Sequence, residues 1–126
     1  MRFLSPEHCQ ASSAAFAADA ELQQSAAGVV LNIVYYVTDS PEGDFAYHLS
    51  FGPGGVLMAR GALPAPDAEV RSSYATAVQM VRGELGNQTA VMLGKVRIKG
   101  SMMTLLRHQG VLNRTQNLSA ALDVTY

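Results

Sequence analysis

Gly28-Val29-Val30-Leu31-Asn32-Ile33-Val34-Tyr35-Tyr36-Val37-Thr38-Asp39 carries a period of two. Val29, Leu31, Ile33, Tyr35 and Val37 fall on one side. Val30, Asn32, Val34, Tyr36 and Thr38 fall on the other. The residues are β-branched and aromatic, so the stretch reads as a strand. Its first face is continuously apolar, and its second mixes Asn and Tyr with Val and is expected to be only partly covered. Asp39-Ser40-Pro41-Glu42-Gly43-Asp44 is a turn by composition. A second strand follows over Phe45 to Phe51, with Phe45, Tyr47, Leu49 and Phe51 on one face. Gly52-Pro53-Gly54-Gly55 makes the next turn, and Val56 to Arg60 a third strand. Three strands on short loops predict an antiparallel meander.

Outward from this core the period lengthens. Upstream, Ser5-Pro6-Glu7 opens a helix: Ser5 as N-cap, Pro6 at the first position, Glu7 at the positive dipole end. It runs to about Ala18, and Asp19 opens a short helix through Ala27 that Gly28 ends. Downstream, Gly61 to Pro66 is a connector and Ala68 to Ser72 a fourth strand. Ser72 or Ser73 caps a helix from about Tyr74 to Leu85, with Tyr74, Ala77, Val78, Val81 and Leu85 on one stripe. Gly86 punctuates it, and Asn87 caps a short helix through Leu93. Lys95 to Lys99 is a fifth strand, cations outward, Val96 and Ile98 inward. Gly100 and Ser101 open a last helix, which Gly110 ends or bends. Asn113 to Tyr126 is a helical or frayed tail. The expected fold is α+β: one five-stranded mixed sheet, a meander plus two later strands, its apolar face covered by the later helices. Residues 1–126 form a single domain on this reading.

Composition narrows the function. Hydrophobic residues make up 48% and charged residues 15% of the 126, too apolar for a disordered chain. The formal charge of -1 gives no global basic field for nucleic acid, and no polybasic run offers itself to anionic lipid headgroups. The longest apolar stretch, Gly28 to Val37, is about half a membrane span, so stable membrane insertion is not expected. A single cysteine, Cys9, and no recognisable signal peptide point to a reducing, cytoplasmic setting. The apolar inventory is Ala, Val, Leu and Met without Trp. Such a core either packs solid or is completed by an apolar guest.

No catalytic constellation emerges. His8 and Cys9 are helix neighbours and point about 100° apart. His48 lies on the strand face opposite Tyr47 and Leu49, and His108 sits near a helix end. No metal-ligand spacing occurs, and Gly52 to Gly55 joins two strands instead of opening a helix around a phosphate. Asn87, Asn113 and Asn117 head N-x-S/T triplets, which occur by chance without a secretory signal. Lys95, Arg97 and Lys99 share one strand face, about 7 Å apart. This cluster is either a solvated sheet face or a small patch for an acidic headgroup or phosphate. Met80, Met92, Met102 and Met103 all lie in the C-terminal half. They are either ordinary core filling or a deformable wall around a hydrophobic ligand.

Tyr74-Ala75-Thr76-Ala77-Val78, Val81-Arg82-Gly83-Glu84-Leu85 and Met92-Leu93-Gly94-Lys95-Val96-Arg97-Ile98-Lys99-Gly100-Ser101-Met102-Met103 together resemble the sterol carrier protein (type-two) lipid-transfer domain family. The most specific piece is Gly94-Lys95-Val96, Ile98, Gly100 and Met102. The hairpin from Asp39 to Phe51 resembles small stand-alone bacterial members, and the likeness extends from Leu4 to about Leu112. The resemblance implies a five-stranded sheet with helices on one side and an apolar tunnel between them. It implies a tunnel that takes sterols, fatty acids, fatty acyl-CoA or other lipids, with no catalytic residue, metal or cofactor.

On that resemblance the ligand-binding candidates are Ile33, Tyr35, Tyr47 and Leu49 on the sheet, Tyr74, Val78 and Val81 on the long helix, and Met92, Met102, Met103, Leu105 and Leu106 beyond it. Ala77 is small where relatives often place a bulky aromatic. Gly110 and the polar run Asn113 to Asn117 stand where relatives often have an apolar closing helix. The expected function is non-enzymatic binding of lipid, with transfer between membranes or to an enzyme. The alternative is an accessory module beside an enzyme on apolar substrates, as a homodimer or enzyme partner through the sheet edge or C-terminal helix. A third reading, catalysis near Cys9, His48 or His108, requires these groups to meet in space.

Overall fold

The computed structural model describes residues 1–126. In chain order it forms α1 (Pro6–Ala18), α2 (Ala20–Ser25), β1 (Leu31–Ser40), β2 (Gly43–Gly52), β3 (Gly55–Arg60), β4 (Ala68–Ser73), α3 (Tyr74–Val81), α4 (Asn87–Met92), β5 (Val96–Gly100), α5 (Met102–Arg107) and α6 (Gln109–Ala120). The fold is α+β on one five-stranded mixed sheet, ordered β3-β2-β1-β4-β5.

Local chemistry places most boundaries. The Ser5 hydroxyl accepts from the His8 amide at 3.1 Å and Pro6 follows it. Asp19 stops α1 and then caps α2, its carboxylate accepting from the Leu22 amide at 2.9 Å. Ser73 and Ser101 cap α3 and α5 in the same way, through the amides of Thr76 and Thr104. Each cap satisfies an amide that the helix itself leaves unpaired.

β1, which has more buried residues than any other strand, occupies the centre. It pairs antiparallel with β2 and parallel with β4, while β2–β3 and β4–β5 are antiparallel. Entering β4 parallel to β1 obliges the chain to cross the sheet. The Gly61–Asp67 connector does so on the face away from the helices. There the Gly61 carbonyl meets His48 Nδ1 at 2.9 Å, and the Asp67 amide donates to the Asn32 carbonyl. This crossing explains why Val34, on the face expected to be partly covered, is fully buried.

The apolar face is covered by early as well as late helices. α1 packs along β3, where the Ser13 hydroxyl donates to the Met58 carbonyl and accepts from its amide, each at 2.9 Å. An edge strand that would otherwise expose free backbone groups is closed this way.

Several boundaries differ from the sequence expectation. β1 begins at Leu31 and leaves Val30 exposed. It continues through Ser40, with an irregularity after Val37 and Asp39 at φ 58°, so the turn shrinks to Pro41 and Glu42. α3 stops at Val81, not Leu85, because Gly83 takes φ 75° and closes the helix end. Gly86, not Asn87, is the N-cap of α4. α5 breaks at His108, and Gly110 lies inside α6. Of the helical or frayed tail expected from residue 113, the helical alternative holds through Ala120. α6 buries Thr115 and Ser119, and the Ser119 hydroxyl meets that of Ser12 on α1 at 2.8 Å.

Candidate functional site

Between the sheet and the later helices lies a cavity of about 550 Å³. Its floor follows one register row across the sheet: Tyr47, Tyr35, Val70 and Ile98 stand opposite one another on β2, β1, β4 and β5. Tyr35 and Tyr47 stack with ring centroids 4.7 Å apart and planes 4° from parallel. The inner end is closed by Phe3, Leu4 and Phe16, all buried. The sides are Ala77, Met80 and Val81 of α3, Val91 of α4, Leu105 of α5 and Leu112 of α6. The lining residues that solvent reaches most (Asn87, Gln88, Met92, Met102, Leu106, Gln109 and Asn113) belong to α4, α5 and α6. The mouth therefore opens between those helices.

The chemistry of the wall is uniform. Nineteen of its 27 lining residues are hydrophobic and none is charged, so the space favours an apolar occupant. Burial pushes the Tyr35 phenol up to about 12 and the Tyr47 phenol well above its ordinary value. Both stay neutral at physiological pH and bring no charge to the floor. The polar groups are amides and small hydroxyls, with Asn87, Gln88, Gln109 and Asn113 at the mouth and Ser72, Thr115, Gln116 and Ser119 deeper. Gln116 is committed to the protein, donating to the Met80 carbonyl at 3.1 Å and tying α6 to α3.

Of the residues singled out from sequence, Tyr35, Tyr47, Leu49, Val81, Met92, Met102, Leu105 and Leu106 border this cavity. Ile33, Tyr74, Val78 and Met103 do not. Ile33 is fully buried in the solid core beneath the helices. Tyr74 begins α3 and packs against Phe3 at 5.8 Å between ring centroids. On α3 the stripe facing the cavity is Ala77, Met80 and Val81, and Val78 is rotated about 100° from Ala77 onto the neighbouring core. Met102 and Met103 are helix neighbours, so only one can face inward, and Met103 projects into solvent.

Residues 11–113 match the model of the SCP-2 sterol transfer family. The chain belongs to this family. Three solved structures share its fold. Sterol carrier protein 2, in a crystal structure, superposes with a TM-score of 0.75 at 17% identity, covering 94% of this chain and 97% of that one. A conserved hypothetical protein of Thermus thermophilus, described as a possible sterol carrier protein, gives 0.74 at 17% identity, covering 95% and 89%. Sterol carrier protein 2 of Yarrowia lipolytica in its apo form gives 0.67 at 20% identity, covering 86% and 88%. No curated protein matches the sequence.

The SCP-2 motif at Gly94 to Met102 has a visible structural task. Gly100 has φ 109°, and a Cβ there would lie 2.5 Å from the Asp67 carbonyl oxygen and 2.9 Å from the Ala68 Cα. Glycine alone lets β5 close against β4 and then turn into α5, which carries Met102, Leu105 and Leu106 to the wall. Sequence reading missed α6 as a wall. Its lining residues Gln109, Leu112, Asn113, Thr115, Gln116 and Ser119 follow helical spacing, but all except Leu112 are polar, which hid the stripe.

In this SCP-2 fold the groups considered for catalysis are held apart. His48 is on the sheet face under the connector, and His108 joins α5 to α6. His8 is fully buried: Nδ1 accepts from the Leu4 amide at 2.9 Å and Nε2 donates to the Ser119 carbonyl at 3.0 Å. Cys9 is buried too, and its thiol is pushed up to about 11, which keeps it protonated and a poor nucleophile. No helix is long and apolar enough to cross a membrane.

Proposed function

We propose that this protein is a non-enzymatic lipid carrier. It holds a fatty acid, fatty acyl chain or sterol-like molecule in the cavity and yields it to a membrane or an enzyme in the cytoplasm. The observation that carries the reading is a cavity of about 550 Å³ whose wall has no charged side chain. That volume is within the range of small-molecule sites, roughly 300–1,000 Å³. Membership of the SCP-2 sterol transfer family supports the same reading.

The energetics are sufficient without a charged anchor. Each buried methylene contributes about 0.8 kcal/mol. Ten of them give about 8 kcal/mol before ordering costs, the scale of micromolar affinity. The ligand is thus selected by length and greasiness more than by single methylenes. Tyr35, Tyr47, Leu49, Val81, Met92, Met102, Leu105 and Leu106 are the proposed contact residues. The methionines adjust to ligand shape.

Native mass spectrometry of freshly purified protein, followed by solvent extraction, tests the proposal. A co-purifying lipid is expected, as is a fluorescent fatty acid displaced by unlabelled lipid. Protein that binds nothing across a broad lipid panel would remove the proposal. If it instead retains an enzyme in pull-downs, the accessory reading takes its place.

A further inference from the structure

The formal charge of -1 conceals a polarised molecule. No Asp or Glu occurs between Glu84 and Asp123, yet five of the nine cations do. The ten carboxylates therefore share the rest of the chain with only four cations. Arg2, Arg60, Arg71, Arg82 and Arg114 each have an acidic partner. Lys95, Arg97, Lys99 and Arg107 form no ion pair and are exposed. Glu69 stands opposite Lys99 in register, but its oxygens go to Tyr36 and Arg71.

The same segment holds most of the exposed apolar side chains. Met92 is 86% exposed and Met103 68%, with Leu93, Met102 and Leu106 beside them in α4, α5 and the loop after α4. α5 buries none of its residues. Soluble surfaces rarely collect large apolar groups in one place without a partner. β5 is an edge strand of the sheet. Its cations lie on one side of that edge, and the α4 and α5 apolar groups lie on the other, around the cavity mouth.

We propose that this edge, formed by α4, β5 and α5, docks on an anionic lipid bilayer. Leu93, Met103 and their neighbours enter the interface, while Lys95, Lys99 and Arg107 reach the headgroups. Long cationic side chains extend along apolar surface to the polar layer in this way. The choice of a bilayer rests on the lipid-carrier reading: a mouth set against a membrane lets an apolar ligand leave without crossing water. A second copy is a poor occupant, since a two-fold contact would oppose the four unpaired cations to themselves. The scattered cations of β5 and α5 thus act together, although no basic run exists in the sequence.

Sedimentation with vesicles of phosphatidylcholine alone, or with about a third phosphatidylserine, tests this. Binding is expected to rise about tenfold or more with phosphatidylserine and to collapse near 0.5 M salt, where the screening length is only about 4 Å. Two variants spare the cavity wall: Lys95→Gln/Lys99→Gln/Arg107→Gln and Leu93→Ser/Met103→Ser. Both should lose about tenfold in vesicle binding and keep wild-type displacement of a fluorescent fatty acid. That displacement assay separates failure of docking from failure of the carrier reading. Salt-insensitive binding, no binding to either vesicle, or variants that bind like wild type would overturn the proposal. So would concentration-dependent dimers that the Leu93→Ser/Met103→Ser variant abolishes, for they would assign the edge to a second copy.

Discussion

His8 is the residue whose protonation state the fold dictates. Nδ1 receives the Leu4 amide, and Nε2–H is given to Ser119. A second ring proton would face an N–H donor. Burial, with a smaller contribution from the N-terminal ammonium, lowers its pKa against the opposing bond to Ser119. The folded pKa is below the unfolded one, so the contribution to stability is full above about 6.5 and is lost as pH falls from there. Tm should therefore drop between about pH 7 and pH 5, and His8→Gln should flatten that part of the profile. Equal slopes for both proteins would refute the assignment. Tyr74 poses a different question, because its buried hydroxyl makes no hydrogen bond within the protein. Tyr74→Phe should leave stability unchanged or raise it by up to about 1 kcal/mol in urea unfolding, whereas a loss of that size would reveal an unrecognised partner. The helical stripe that marked Tyr74 as inward, and the alternation that marked Ile33 and Tyr35, were readable in sequence. Which of them meets a void and which meets a packed neighbour was not, since periodicity gives direction and not depth.

Among the elements, the β4–β5–α5 unit hangs on Gly100. Gly100→Ala combines an unfavourable φ of 109° with a Cβ 2.5 Å from backbone oxygen. It should cost about 2 kcal/mol or more, measured by denaturant unfolding. It should also loosen α5, seen as faster amide exchange there than in β1. A cost under half a kcal/mol would mean that the strand pair can shift freely. At the other end, Arg114 of α6 grips Asp19 with two hydrogen bonds, at 2.8 and 3.1 Å, while Asp19 caps α2. Asp19→Asn keeps an acceptor for the cap but loses the ion pair, so Asp19→Ala should lower Tm further than Asp19→Asn. The reverse order would show that the cap contributes nothing. Caps, glycines and strand alternation are local chemistry, which is why most elements were legible. The end of α3 was misplaced because either Gly83 or Gly86 can stop a helix and packing chooses between them, and that of α5 because the break falls at His108, where no glycine marks it.

For the molecule as a whole, the cavity should couple ligand to stability. A ligand at about 100 times its Kd adds about 2.7 kcal/mol to unfolding, so Tm should rise with lipid concentration. Ala77 offers the cleanest block, being small and on the wall. Ala77→Phe should cut fatty-acid affinity about tenfold or more by occupying the space of two or three methylenes, while the apo protein keeps or gains stability. Unchanged affinity in a folded Ala77→Phe protein would place the ligand elsewhere.

Sequence by itself determined the α+β class, the five strands, the capped helices and membership of a lipid-transfer family, because period, caps and motifs are properties of neighbouring residues. Tertiary structure alone decided the crossing connector that buries Val34, the part played by α6 in the wall, and the split between core and cavity among residues of one face. It also gathered four unpaired cations and five apolar side chains at one edge. Those outcomes depend on how far apart packed elements stand and on which charges find partners, and neither distance nor pairing is written along the chain.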